Sequence, residues 1–276
     1  MVHRVVVVLM VMVTIAGVRA RAAGVGPLPD GRSASDLAME DFLLTAEIVV
    51  DEPLGQGITR PRKLTLVKNG VELHAIFKYI DEQGKGPTLN EQTHRIEADF
   101  SDSWKYEVAT YRLDRALGFG LVPVTVARVI DGERGSVQEW IEDAETFRDL
   151  VGSGDTTIKG DGQLLMVRLT CMYILDQLIA NVDRNYDNIL VDADDDRFFL
   201  IDHSRSFRFR SSVDPPDLPQ PVPLSERATT QLEALDREVI EEVVGDLLSK
   251  RQIRALAARR NNLLKVLSHE GLLPAA

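Results

Sequence analysis

The chain has 276 residues, 44% hydrophobic and 27% charged, enough to bury a core as one large domain or as two lobes around a cleft. Acidic residues outnumber basic ones 43 to 32, a net charge of -11. That balance argues against a nucleic-acid surface or a polybasic membrane-binding face, since both need clustered Lys and Arg.

Residues 1–4 make a short basic start, residues 5–18 an uncharged apolar run, and Ala20-Arg21-Ala22 fits a small-residue cleavage site. This layout predicts a signal peptide over residues 1–22 and export to a periplasmic or extracellular space. The run is short against the roughly 20 residues of a membrane-spanning helix. Arg19 and Arg21 sit unusually close to the cleavage site, so a signal anchor and a cytoplasmic chain with a misassigned start are the alternatives. Residues 23–35, rich in Gly, Pro and small polar residues, read as a linker.

Residues 36–47 read as a short helix or a lead-in to the first strand. In IVVDEPLGQGIT, which follows, Gly55 and Gly57 occupy a turn between extended runs, where glycine lets the backbone approach a ligand. KLTLV and VELHAIFKY flank Lys68-Asn69-Gly70 and predict a hairpin; Leu73, Ala75 and Phe77 share one face, and Lys78 lies on the other. Residues 81–99 read as an irregular insertion. A helix follows, with Ser101, Asp102 or Ser103 as its N-cap, Gly118 as its stop and an apolar stripe at Tyr106, Ala109, Leu113 and Leu117. Glu107 lies beside that stripe.

A second hairpin is expected around residues 131–135, its later strand being SVQEWI, and a change from sheet to helix begins near Glu142. Residues 163–180 read as a long helix, apolar at Leu164, Leu165, Leu169, Met172, Leu175 and Ile179. The sole cysteine, Cys171, lies in that helix and reads as a buried structural thiol; one cysteine allows no internal disulfide. Proline-rich residues 211–224 exclude a regular helix, and residues 225–272 suggest two or three amphipathic helices.

Residues 181–207 organise the rest: NVDRNYDNILVDADDDRFFLIDHSRSF. Two short apolar runs, 189–191 and 198–201, predict a hairpin with a five-residue loop. A loop centred on Asp195 would put Asn188 opposite Asp202, with Asp183 just upstream of the same end. Two carboxylates and an amide converging there suit a divalent cation, which takes hard oxygen ligands. Asp194, Asp195 and Asp196 read as turn formers, and the stretch lacks the spacing of a calcium-binding loop.

The parts then fall into an order: glycine turn, strand lysine, helix glutamate, long helix, D-x-x-x-x-N and a hairpin ending in Asp. Phosphoryl transfer requires such parts, because its catalysis is mostly positioning and charge neutralisation. Lys78 would draw on nucleotide phosphates with Glu107 fixing its rotamer, Asn188 and Asp202 would hold the cation, and Asp183 would orient the acceptor and take its proton.

In YEVATYRLDRALGFGLVPVTV and ANVDRNYDNILVD…FFLIDHSRSF the chain resembles the atypical kinase-like superfamily that includes phosphatidylinositol 3-/4-kinase catalytic domains. Secretory-pathway casein-kinase-type and HipA-type kinases are more distantly similar. The Asp183-Arg184 pair with Asn188 is like the lipid-kinase catalytic loop, with Asn185 where histidine is usual, and Asp202-His203-Ser204 stands in place of Asp-Phe-Gly. The resemblance implies an α+β, two-lobed protein-kinase-like fold. Its N-lobe over residues 36–141 would carry an antiparallel sheet and one helix, and its C-lobe over residues 142–276 would be mostly helical. It also implies ATP with Mg²⁺ or Mn²⁺ as cofactors, and Lys78, Gly55, Gly57 and Gln138 as nucleotide contacts. The activity implied is phosphotransfer to a protein, lipid or small-molecule acceptor. The alternatives are a nucleotide-binding pseudokinase and an AMP transferase on the same fold.

Overall fold

The computed structural model describes residues 31–55, 60–83, 88–90, 95–97, 101–153, 162–192, 197–218 and 221–274. The expected signal peptide, most of the expected linker and Gly57 lie outside them. No helix among the described residues is long and apolar enough to cross a membrane.

Helix α1 (Ala34–Thr45) begins two residues inside the expected linker. Ser33 Oγ accepts the Asp36 N–H at 3.0 Å while the Asp36 carboxylate accepts the Ser33 N–H at 2.7 Å. This reciprocal cap satisfies two of the donors a helix start leaves open. Strand β1 (Glu47–Pro53) follows, then β2 (Arg62–Lys68) and β3 (Val71–Lys78). Asn69 and Gly70, both at positive φ (52° and 76°), close β2 onto β3 in the tight turn that Asn-Gly favours.

The described residues of the expected irregular insertion include strands. The insertion contains β4 (Asp81–Gln83), β5 (Thr88–Asn90) and β6 (Arg95–Glu97), and β7 (Ser101–Ser103) follows it. β4 pairs with β7, and β5 with β6. Three-residue strands, with at most one apolar residue each, are too short to show a period, so pattern reading has nothing to detect there.

Ser103 caps α2 (Trp104–Leu117), and Gly118 ends it at φ 68°, a left-handed conformation that a side chain would strain. All four stripe residues of α2 are buried, each large one contributing about 1.5–3 kcal/mol by leaving water. Strands β8 (Thr125–Ile130) and β9 (Glu133–Glu139) complete a five-stranded antiparallel sheet ordered β1-β2-β3-β9-β8. With α1 present, this part of the chain carries two helices rather than the single one expected.

Beyond the sheet lie β10 (Glu145–Thr146), α3 (Phe147–Gly152), α4 (Gly162–Ile179), β11 (Ile189–Asp192) and β12 (Arg197–Leu200). Helices α5 (Glu226–Ala234), α6 (Arg237–Val244) and α7 (Lys250–His269) close the chain. The architecture is therefore α+β, with an antiparallel sheet first and helices after it. Leu164 was expected in the core but is 47% exposed; it points away from the face of α4 that buries Leu165 and Leu169. The fully buried Arg259 on α7 donates to the carbonyls of Leu178, Arg208 and Arg210 at 2.7, 2.7 and 2.6 Å. It ties α7 to the end of α4 and to the segment after β12.

Candidate active site

Lys78 sits at the end of β3, opposite Ser136 of β9. Gly135 permits that pairing. A Cβ there would meet the Lys78 carbonyl oxygen at 2.3 Å and the Phe77 ring at 2.4 Å. The Lys78 ammonium lies 2.6 Å from Glu107 Oε1 and 2.8 Å from Asp202 Oδ1. Burial alone would lower its pKa, but the two carboxylates outweigh burial and hold it above the ordinary lysine value.

Glu107, in the first turn of α2, is 1% exposed. Burial pushes its pKa up, whereas the Lys78 charge and the bond from His203 pull harder, leaving the carboxyl well below its usual range. Its second oxygen accepts the His203 backbone N–H at 3.0 Å, and His203 Nδ1 lies 3.4 Å from the same oxygen. One carboxylate thus joins the sheet's lysine to the residue after Asp202.

The loop after α4 is built by its own polar side chains. Asn181 Oδ1 accepts the Asp183 N–H at 3.0 Å, and Asn188 Nδ2 donates to the Asp183 carbonyl at 2.9 Å. Arg184 makes two 3.0 Å contacts to the Asp176 carboxylate of α4 and donates to the carbonyls of Asn188 (2.6 Å) and Ile201 (3.1 Å). Its Nη2 also lies 3.0 Å from His203 Nε2. Asp183 keeps a 38% exposed side chain, with the Arg205 guanidinium 3.9 Å away.

The hairpin has a register one residue tighter than expected. Asp192 pairs with Arg197 and Ile189 with Leu200, so the residue opposite Asn188 is Ile201, whose N–H donates to the Asn188 carbonyl at 3.2 Å. The Asp192–Arg197 rung, also an ion pair (3.5 Å), extends the ladder by one pair toward the turn past the expected Val191 and Phe198 ends. Asp202 still reaches the site, because its backbone turns into the left-handed region (φ 57°) just past the strand.

The structure therefore brings Lys78, Glu107 and Asp202 into direct contact, and Asn188 to the backbone of Asp183. Gln138 lies on the face of the sheet shared with Lys78, its amide donating to Thr125 Oγ1 at 2.9 Å. Gly55, at φ 70°, lies just past β1, ahead of β2. Sequence reading placed none of Asp176, His203 and Asp102 among the site residues. Asp102 is a 9% exposed carboxyl whose pKa is raised by burial; it is hydrogen-bonded to the Ser204 hydroxyl, which lies 3.3 Å from Asp202. The helix-capping pattern marked Asp102 only as one of three caps, since its approach to Ser204 spans a hundred residues.

The described residues contain no cluster of three or more His, Cys, Asp or Glu able to hold a metal ion. A cation here would rest on Asp202 and on Asn188, which spends its Nδ2 on Asp183 and so offers Oδ1. One carboxylate and one amide oxygen fit a hard cation that shares its remaining positions with phosphate oxygens and water.

No protein-family model and no curated protein matches the chain. Solved structures do. A Golgi casein kinase with Mn/ADP bound is 18% identical, with a TM-score of 0.60 over 86% of this chain and 76% of that one. A Fam20 protein of hydra, solved with sugar, is 14% identical, with a TM-score of 0.60 over 88% of this chain and 94% of that one. The Helicobacter pylori proinflammatory kinase CtkA is 12% identical, with a TM-score of 0.52 over 83% and 97%. The fold is kinase-like. Within it, Lys78, Glu107 and Asp202 meet where the sheet, α2 and the helical part converge.

Proposed function

We propose that this chain is a phosphotransferase that uses ATP with Mg²⁺ or Mn²⁺. The observation that carries the reading is the Lys78 ammonium held between Glu107 and Asp202, beside a loop in which Asn188 is bonded to Asp183. Lys78 would neutralise nucleotide phosphates, with Glu107 fixing its rotamer. Asn188 and Asp202 would hold the cation, which would supply charge neutralisation at the phosphate oxygens. Asp183, whose side chain is 38% exposed, would orient the acceptor hydroxyl and accept its proton. The Mn/ADP bound by the Golgi casein kinase supports the cofactor reading by analogy. The Asp183-Arg184 loop with Asn188 is the part that favours a phosphatidylinositol-kinase-like lineage.

The test is incubation with γ- and α-labelled ATP and Mg²⁺ or Mn²⁺, offering protein, lipid-vesicle and polyol acceptors, with Asp183→Ala and Asp202→Ala as controls. Label from the γ position, absent in both controls, is expected. Label from the α position alone would make the chain an AMP transferase, and no label above the controls would make it a pseudokinase. Export belongs to the proposal too, and N-terminal sequencing that finds Ala23 first would establish it.

A further inference from the structure

His203 sits between the two halves of the site, fully buried. Its Nε2 faces Arg184 Nη2 at 3.0 Å, and its Nδ1 faces Glu107 Oε2 at 3.4 Å. Nδ1 makes no hydrogen bond of ordinary geometry among the described residues, so its 3.4 Å approach to Glu107 is an electrostatic contact. A guanidinium has only donors and a carboxylate only acceptors, so the two neighbours impose a polarity on the ring. The lone pair must be on Nε2, toward Arg184, and the proton on Nδ1, toward Glu107. The opposite tautomer would aim N–H at a cation and a lone pair at an anion.

The neighbours continue in both directions. Arg184 is held by Asp176, and Asp176 also accepts from Asn181, whose side chain fixes the Asp183 N–H. Glu107 holds Lys78, and Lys78 touches Asp202. We infer that His203 is a positioning residue, a polar link that couples the Asp183 loop to the Lys78–Glu107 pair by standing between Arg184 and Glu107. A phenylalanine there could fill space against α2 but could not bridge these two charges. The link gives α2 and the loop one shared arrangement. The inference rests on the phosphotransferase reading for its effect on turnover, but not for its geometry.

Two measurements separate those dependences. The first is the nitrogen-15 spectrum of the His203 ring in the full chain, with His203→Gln used to assign it. A protonated Nδ1 with an unprotonated Nε2 is expected, and the Nε2–H tautomer would overturn the link whether or not the chain is an enzyme. The second is ATP turnover with γ-labelled ATP and Mg²⁺. His203→Phe is expected to lower kcat about 10- to 100-fold, as loss of an orienting partner does, with the KM for ATP within about threefold of the parent. His203→Asn keeps a donor near Glu107, and His203→Gln keeps an acceptor near Arg184. Each should fall between the parent and His203→Phe in kcat while melting close to the parent. Full turnover in His203→Phe, or losses of kcat that follow melting temperature in all three variants, would overturn the inference. If the parent transfers no phosphate, the proposed function falls and the tautomer alone decides the link.

Discussion

Glu107 Oε1 receives the Lys78 ammonium at 2.6 Å across the junction of α2 and β3, and both side chains are withdrawn from bulk water. Removing one member of a buried pair leaves the other desolvated, which costs more than the pair itself contributes. Glu107→Gln is therefore expected to lower unfolding free energy by about 3 kcal/mol and to lower ATP turnover at least tenfold, measured by urea denaturation and by label release. The sign with pH follows from the lowered Glu107 pKa. Its contribution is fully present above the ordinary glutamate value of 4.5 and is lost as pH falls toward the folded value. Between about pH 5 and pH 2 the parent should lose more stability than Glu107→Gln does.

Asp183 and Asp202 belong to one loop-and-hairpin but have different neighbours, and the proposed function gives them different work. Asp202 touches Lys78, whereas Asp183 keeps a 38% exposed side chain with Arg205 as its charged neighbour. Asp202→Asn should weaken Mg²⁺-dependent ADP binding about tenfold or more, seen by calorimetry. Asp183→Asn should bind ADP as the parent does and lose turnover by about 100-fold or more. Equal loss of ADP binding in both would contradict this division.

Gly135→Ala tests how Lys78 is placed. The added methyl would fall 2.3 Å from the Lys78 carbonyl, so β9 and β3 must separate. A cost of about 1–3 kcal/mol is expected from overpacking, with ATP affinity falling in the folded protein. An alanine variant with parental stability and ADP affinity would show that the approach is not required.

Asp114 is completely buried at the end of α2, where it is paired with Arg115 and accepts the N–H groups of Leu121 (3.0 Å) and Val122 (3.3 Å). Asp114→Ala would leave a buried guanidinium and two buried amides without that acceptor. Loss of about 3–5 kcal/mol is expected by denaturant titration.

The Cys171 thiol is 8% exposed, and burial pushes its pKa up to about 12. Thiolate is the reactive form, so modification by a disulfide reagent at pH 8 should proceed only as fast as the chain opens. Its rate should rise with urea in step with unfolding.

Much of this site could be read from the chain because its parts carry local signals. The Asn-Gly turn and the alternation around it locate β3 and hence Lys78, the stripe and Gly118 locate α2 and hence Glu107, and two apolar runs locate the hairpin that ends at Asp202. Period, cap and turn chemistry are properties of neighbouring residues, so the sequence by itself determined the longer elements, their order and the candidates they carry. The short strands of the insertion and the exact hairpin register escaped because triplets and single ladder rungs are too short for a periodic signature.

Tertiary structure alone decided which polar residues meet. Glu107 accepts from a backbone N–H 96 positions later, Asp102 meets Ser204, and Arg184 meets both Asp176 and His203. In the sequence His203 is only a departure from phenylalanine. In the fold it lies between a cation and an anion that the chain's path brings together, and a contact set by that path leaves no trace in local pattern.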